Sequence, residues 1–274
     1  MIKSVFAQTF SDWELLLIND GSTDDSLALA ESVDDPRVRI YSNDRNRGRS
    51  FSLNRITELA RGKYIARMDS DDLCSPTRIE KQVRLLESDP RLDAVSVGVI
   101  YLDKQDNPVG DMVTPAGHDD ICRTPWRMIH MVHGALMAKK SFFQTYPYRE
   151  DLALAVDFNL FVRSHAHSVF ANVQEPLYYY RLDNSFNLKK QFITRKYSAA
   201  FLFDHFRRHS GIPAAARHAM NQYLKFAATL LLFATGRRNK LMAKRFTPLD
   251  AAKIESYRNE LDLIKSFPLP LKHP

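Results

Sequence analysis

The sequence has 274 residues, 45% hydrophobic and 26% charged, with a formal net charge of +7. That is the balance of an ordinary soluble globular chain, with room for one large domain or one domain plus an appendage. Two cysteines, Cys74 and Cys122, exclude a disulfide framework and fit a reducing compartment; no secretory signal is expected, and the longest apolar run, Phe226 to Ala234, is too short to span a bilayer.

Residues 14–18, ELLLI, form a short apolar strand running into Asn19-Asp20-Gly21-Ser22. Thr23 with Asp24 and Asp25 predicts a helix cap with acids in the first turn, and the helix runs to about Val33, before Asp35-Pro36. Arg37 to Tyr41 alternates as a strand does, and a polar loop follows from Ser42 to Gly48. Phe51 to Ala60 places apolar residues at helical spacing and ends at Arg61-Gly62. Tyr64, Ile65, Ala66 and Met68 predict a buried strand that ends in Asp69, Ser70, Asp71 and Asp72. Ser75 and Pro76 then predict a helix start, continuing from Ile79 to Leu86. Strand, helix, strand, helix, strand is the order of an α/β fold with a doubly wound, mostly parallel sheet.

Further strands are expected at Ala94 to Leu102 and Val173 to Arg181, a strand-like segment at His130 to Lys139, and a helix at Asp157 to His165; 103–127 reads as irregular. Beyond residue 186 the pattern is helical and basic. Residues 1–185 hold 22 Lys+Arg and 27 Asp+Glu, whereas 186–274 hold 17 and 5. The expected organisation is a body over 1–185 and a helical basic C-terminal region over 186–274. Pro268, Pro270 and Pro274 suggest a loose end. A basic region of this kind suits anionic lipid, nucleic acid or an anionic substrate; no nucleic-acid motif is present, so nucleic acid is not expected as a partner.

The acids at 69–72 fall where ligands bind in α/β folds, between a strand's carboxyl end and a helix's amino end. Two unit charges about 4 Å apart repel by roughly 4 kcal/mol at an effective dielectric near 20. A divalent cation removes that repulsion, and hard cations such as Mg²⁺ bridge a few carboxylates to substrate phosphates. The plain alternative is a solvated acidic turn in which Asp72 or Ser75 caps the helix.

Several blocks together resemble family 2 glycosyltransferases of the GT-A fold. They are QTFSDWELLLINDGSTDDS (8–26), NRG (46–48) with Asn54, ARGKYIARMDSDD (60–72), then Pro76, Arg78 and Gln82, HGALM (133–137), DFNLFVR (157–163) and PLYYYR (176–181). The resemblance implies a UDP- or dTDP-linked sugar donor, a glycan or lipid-linked acceptor, Mn²⁺ or Mg²⁺, and inversion at the anomeric carbon. It implies that Asp20 reads the donor's base, that Asp69 and Asp71 are the DxD pair on the donor ribose and the metal, and that Asp157 is the catalytic base. Val156 stands where the family usually has an acid before the base, Asn159 replaces a later acid, and Asp183 stands where a histidine is common. Arg67 can pair with the diphosphate or with Asp69, and His133 is a candidate for the acceptor side, although a histidine in an apolar run is more often a packed residue. The QxxRW block of processive synthases is absent.

In the resembling family a strand with a pattern like VSVIIPTYN comes first and lies between the strands at 14–18 and 63–68. This chain begins near the helix that follows that strand. A gap between the two strands, or their direct pairing, is therefore expected. The expected location is cytoplasmic, or peripheral at the inner face of the membrane through Phe226 to Arg245. Competing readings are a non-catalytic remnant that acts as a binding module, and a nucleotidyltransferase, which also uses paired carboxylates and a metal.

Overall fold

The computed structural model describes residues 1–182, 187–235 and 246–272. Its α/β architecture rests on two sheets. In the smaller, β1 (Leu15–Asn19) pairs in parallel with β2 (Val38–Ser42), with α2 (Ser26–Glu31) between them in sequence. The larger has six strands. Its path is β3 (Tyr64–Ala66), β7 (Met137–Lys139), β5 (Leu92–Leu102), β8 (Val169–Arg181) and β4 (Leu73–Cys74), and β6 (Pro108–Met112) pairs with β5 off that path. Strand β5 is buried over almost its whole length, because helices and loops cover both of its faces. Its near-continuous apolar run suits such a position.

The larger sheet is mixed where a mostly parallel one was expected. The β5 to β8 pairing is parallel, while β3 to β7, β5 to β7, β5 to β6 and β4 to β8 are antiparallel. The reason is local. A parallel return needs a crossover of a dozen residues or more. The turn at 103–107 returns the chain from β5 to β6 at once, with Asp103 Oδ1 accepting from the backbone of Gln105 and Asn107. Strand β6 was hidden from the pattern by Pro108 and Gly110.

A second difference concerns the acidic turn. It does not lead straight into a helix. Leu73 and Cys74 form β4 against Tyr179 and Tyr178, and α4 (Arg78–Ser88) begins after an N-cap at Thr77. Pro76 lies outside the helix, and the Ser75 hydroxyl donates to Glu260 Oε2 at 3.1 Å.

Helix α1 (Ile2–Phe6) leads into Gln8, which clamps the same turn: its Nε2 donates to Ser75 O and its Oε1 accepts from Ile79 N. Helix α3 (Arg49–Leu59) joins β2 to β3, and α5 (His118–Ile121), α6 (Lys140–Thr145) and α7 (Val156–Ser164) surround the larger sheet.

The C-terminal part is helical as expected. Helix α8 (Leu188–Ala234) is a hairpin of two arms, turned at Gly211, whose φ of 82° breaks the helix. Phe192 meets Phe226, Phe206 stacks on His218, and Arg195 donates to Gln222 Oε1, so the arms lie side by side. Helix α9 (Ala251–Ser266) packs Leu261 and Ile264 onto Leu73, Ile100, Leu102 and Tyr179. The expected loose end is docked as far as residue 272: Leu271 bridges Val33, and Lys272 N donates to Ser32 O.

Among the described residues β1 pairs only with β2, and β3 only with β7. The gap anticipated between them is present as a cavity of about 810 Å³ lined by Leu15, Leu17, Tyr64, Ile65, Ala66 and Arg67 among others. Every residue of β1 is only half-buried, although four of its five are Leu or Ile. Segments with little buried apolar contact open at lower free energy. Amide hydrogen exchange should therefore release β1 and β2 well before β5 and β8. Uniform protection across the two sheets would contradict this account of the fold.

Candidate active site

The acidic turn is built on a buried tyrosine. The Tyr178 hydroxyl donates to Asp72 Oδ2 at 2.7 Å and accepts from Asp69 N at 3.1 Å. Asp72 Oδ1 also accepts from Arg181 N at 2.9 Å. Burial pushes the Asp72 carboxyl up to about 6, against these donors, and the charges of Asp71 and Asp69 push the same way. Gly134 makes the approach possible. A Cβ there would lie 2.8 Å from the Tyr178 hydroxyl and 3.2 Å from Asp69 Oδ2.

Arg67 is buried and pairs with Asp69, at 2.7 Å from Nη2 to Oδ1 and 3.3 Å from Nη1 to Oδ2. Arg78 holds it from behind: Arg78 Nη2 donates to Arg67 O, and Arg78 Nε donates to Gln82 Oε1. Gln82 Nε2 in turn donates to Ala135 O at 2.9 Å. Pairing leaves Arg67 Nε buried with no hydrogen-bond partner. Asp71 is exposed, and its backbone carbonyl accepts from Arg181 Nη1.

Asp20 follows β1 and is tied to the loop before α3. Its Oδ1 accepts from Asn43 Nδ2 at 2.7 Å and from Arg47 N at 2.8 Å, and its Oδ2 from Gly48 N at 2.9 Å. Burial raises its carboxyl, but these donors outweigh that and hold it below the ordinary range. Arg49, the next residue, opens α3 and directs its charge at His133 and Tyr148.

His133 Nε2 and the Tyr148 hydroxyl share a hydrogen bond of 2.9 Å. Burial pushes His133 well below its ordinary range, and the charges of Arg67 and Arg49 add to that, so the ring is neutral at physiological pH. Burial raises the Tyr148 phenol, and the charges acting on it come from Arg67, Asp157, Asp69 and Arg49. Asp157 is exposed in the first turn of α7, whose N-cap, Ala155, is left-handed at φ 59°. Asn54 links the halves: its Oδ1 accepts from Tyr148 N and its Nδ2 donates to Tyr148 O.

Tyr148 thus shares a hydrogen bond with His133, the charges of Arg67, Asp157 and Asp69 act on its buried phenol, and Asp20 is tied to the loop before Arg49. None of Asp20, Asp69, Asp71 and Asp157 lines the cavity between β1 and β3, whereas Arg67 and Tyr148 do. Asp183 falls outside the described residues. Sequence reasoning passed over Tyr148, Arg49 and the specific part played by Tyr178. The PLYYYR block pointed at the last of these, and nothing local marked Tyr148.

With this geometry in hand, the sequence model described as Glycosyl transferase family 2 matches residues 1–147. The chain belongs to glycosyl transferase family 2. That places it among the sugar transferases. An uncharacterized glycosyltransferase of Methanocaldococcus jannaschii is 28% identical over 199 residues, covering 69% of this chain and 69% of that protein. Another, from Haemophilus influenzae, is 34% identical over 169 residues, covering 55% of this chain and 52% of that protein. Among solved structures, S. aureus TarS 1-349 in complex with UDP-GlcNAc superposes with a TM-score of 0.58 at 14% identity, over 98% of this chain and 77% of that one. At that identity the likeness shows the fold, which is GT-A. The family match ends at residue 147, so Asp157 and the α8 hairpin lie beyond it.

Tyr178→Phe keeps the ring and removes the hydroxyl, leaving Asp72 and the Asp69 amide each short of a partner. The cost should be about 1–3 kcal/mol, read as a lower Tm. An unchanged Tm would contradict the anchoring role given to Tyr178.

Proposed function

We propose that this chain is a metal-dependent, inverting glycosyltransferase. It moves a sugar from a UDP- or dTDP-linked donor to a hydroxyl of a glycan or lipid-linked acceptor. The single observation that carries the reading is that Asp69, paired with buried Arg67 at 2.7 Å, lies against Gly134, whose neighbour His133 is hydrogen-bonded to Tyr148 at 2.9 Å. A donor-side pair and a candidate acceptor-side histidine are then neighbours, as a transfer between two bound substrates requires. The nucleotide sugar held by the TarS structure supports the donor class.

In this reading Asp20 and Asp69 hold the nucleoside, and Arg67 sets Asp69 in place while bringing positive charge toward the diphosphate. Asp71 is the protein's ligand to Mn²⁺ or Mg²⁺. Among the described residues no group of three or more His, Cys, Asp or Glu could hold a metal. The sparser set fits nonetheless, because Mg²⁺ commonly takes one or two carboxylates with water and substrate phosphates. Burial is the main cause of the raised Asp72 carboxyl; the charges of Asp71 and Asp69 add to it, and a cation would offset that part. When bound, the ion supplies Lewis-acid stabilisation of the departing diphosphate.

Asp157 takes the proton of the acceptor hydroxyl as its oxygen bonds to the anomeric carbon and the bond to the diphosphate breaks. Attack opposite the leaving group inverts the centre. His133, neutral and bonded to Tyr148, shapes the acceptor side without carrying charge. The reaction belongs in the cytoplasm, at or near the inner face of the membrane, which a lipid-linked acceptor requires.

The open cavity between β1 and β3 favours a second reading, a non-catalytic binding module. Calorimetry separates the two. UDP should bind with Mn²⁺ and at least about tenfold more weakly in EDTA, and Asp71→Asn should lose that difference. Equal affinity with and without metal would remove Asp71 as a ligand, and no UDP binding at all would favour the second reading. Asp157→Asn should keep UDP affinity and lose about 10²–10⁴ in transfer rate; near-normal turnover would remove Asp157 as the base.

A further inference from the structure

The second arm of the α8 hairpin, 212–234, presents an apolar stripe to solvent. Met220 is 58% exposed, Leu224 61% and Leu231 65%, with Tyr223 and Leu230 beside them. Ala216, Ala227 and Ala234 are exposed on the same side. Their spacing, 216, 220, 224, 227, 231 and 234, is that of one helix face. The opposite side is used internally: His218 and Gln222 are buried against the first arm. Between 218 and 234 the arm's one charged residue is Lys225, which is half-buried and off the stripe.

What covers such a face can be argued from charge. The hairpin holds eight Lys or Arg and one acid, Asp204, which is already paired with Arg207 and Arg208. Arg217 is exposed near the start of the stripe. Lys189, Lys190 and Lys196 are exposed on the first arm, alongside the end of the second. Arg237, Arg238, Lys240, Lys244 and Arg245 follow next in the sequence. A second copy on this face would bring two basic hairpins together. An anionic bilayer surface offers apolar depth for the stripe and negative charge for the rim, as it does for helices that lie in the interface. Among the described residues no helix is long and apolar enough to cross a membrane, so the arm would lie in the surface plane.

The placement also has a use. The first arm packs Tyr197 and Phe201 onto the main core, and Phe201 meets Phe158, the neighbour of Asp157 on α7. We propose that the outer face of this arm docks the protein on anionic lipid, through Met220, Leu224 and Leu231, and so holds the body that the first arm packs against at a membrane surface. The inference rests on the proposed acceptor class for its use, while the docking itself needs neither donor nor acceptor.

The test is flotation of the full chain with phosphatidylcholine vesicles, with and without phosphatidylserine, and without nucleotide. The protein should float with the anionic vesicles at low salt, at least about tenfold more than with neutral ones, and should be released by high salt. Leu224→Glu/Leu231→Glu should abolish flotation with Tm and UDP binding unchanged, since both side chains are exposed. No flotation at low salt, flotation that survives the double substitution, or a solution dimer dissolved by that substitution would each overturn the proposal. A chain that floats but does not transfer sugar would fail the functional reading and leave the docking intact.

Discussion

The arrangement depends on one buried hydroxyl. The Tyr178 hydroxyl donates a hydrogen bond to Asp72 and accepts one from the amide of Asp69. Three acids within four residues would otherwise repel one another and drift apart in solvent. Here each meets a different fate. Asp72 is drawn inward and hydrogen-bonded, Asp69 is locked to a buried arginine, and Asp71 is left exposed at the surface of the turn. Burying a charge is costly unless it is paired and hydrogen-bonded. The raised carboxyl of Asp72 shows that the cost is only partly met. The turn therefore holds one carboxylate as structure, one as a positioned pair and one exposed to solvent.

The supports reach outward from there. Arg78 and Gln82 of α4 brace the backbone of Arg67 and of Ala135, which places the segment carrying His133. Asn54 of α3 fixes Tyr148 by two backbone hydrogen bonds, and α7 follows eight residues later in the sequence. Asn54, Arg78 and Gln82, which stand among the blocks that resemble the family, thus work as scaffold. The smaller sheet contributes Asp20 and the loop leading to Arg49, but it reaches the larger one across the cavity between β1 and β3. That cavity is a weak joint in the arrangement, since among the described residues each edge strand there has a neighbour on only one side.

Much of this was legible in the sequence. Apolar runs ending in acids marked β1 and β3, and helical spacing marked α3, α4 and α7. What the pattern could not convey was pairing. A run of β-branched residues fits a parallel or an antiparallel strand equally, so the mixed sheet was missed. Pro108 and Gly110 masked β6, and the two-residue β4 is too short to carry any period. Ser75 and Pro76 met the rules for a helix start, yet Ser75 is held by Glu260, 185 residues away, and the helix begins later. Tyr148 was missed because nothing in its neighbourhood sets it apart; only the fold brings His133 and the charges around it. Asp20, Asp69, Asp71 and Asp157 were named from residue type and block order, and the fold ties Asp69 to Arg67 and Asp20 to the loop before α3.

The most direct test of the account is a crystal structure with UDP and Mn²⁺, using the anomalous signal of manganese. The account predicts one manganese peak beside the Asp71 carboxylate, bridging to the diphosphate, with the uracil toward Asp20 and Asp157 facing the open side of the diphosphate. A manganese peak away from residues 69–72, or a nucleotide seated elsewhere, would contradict the claim that these acids form one donor site.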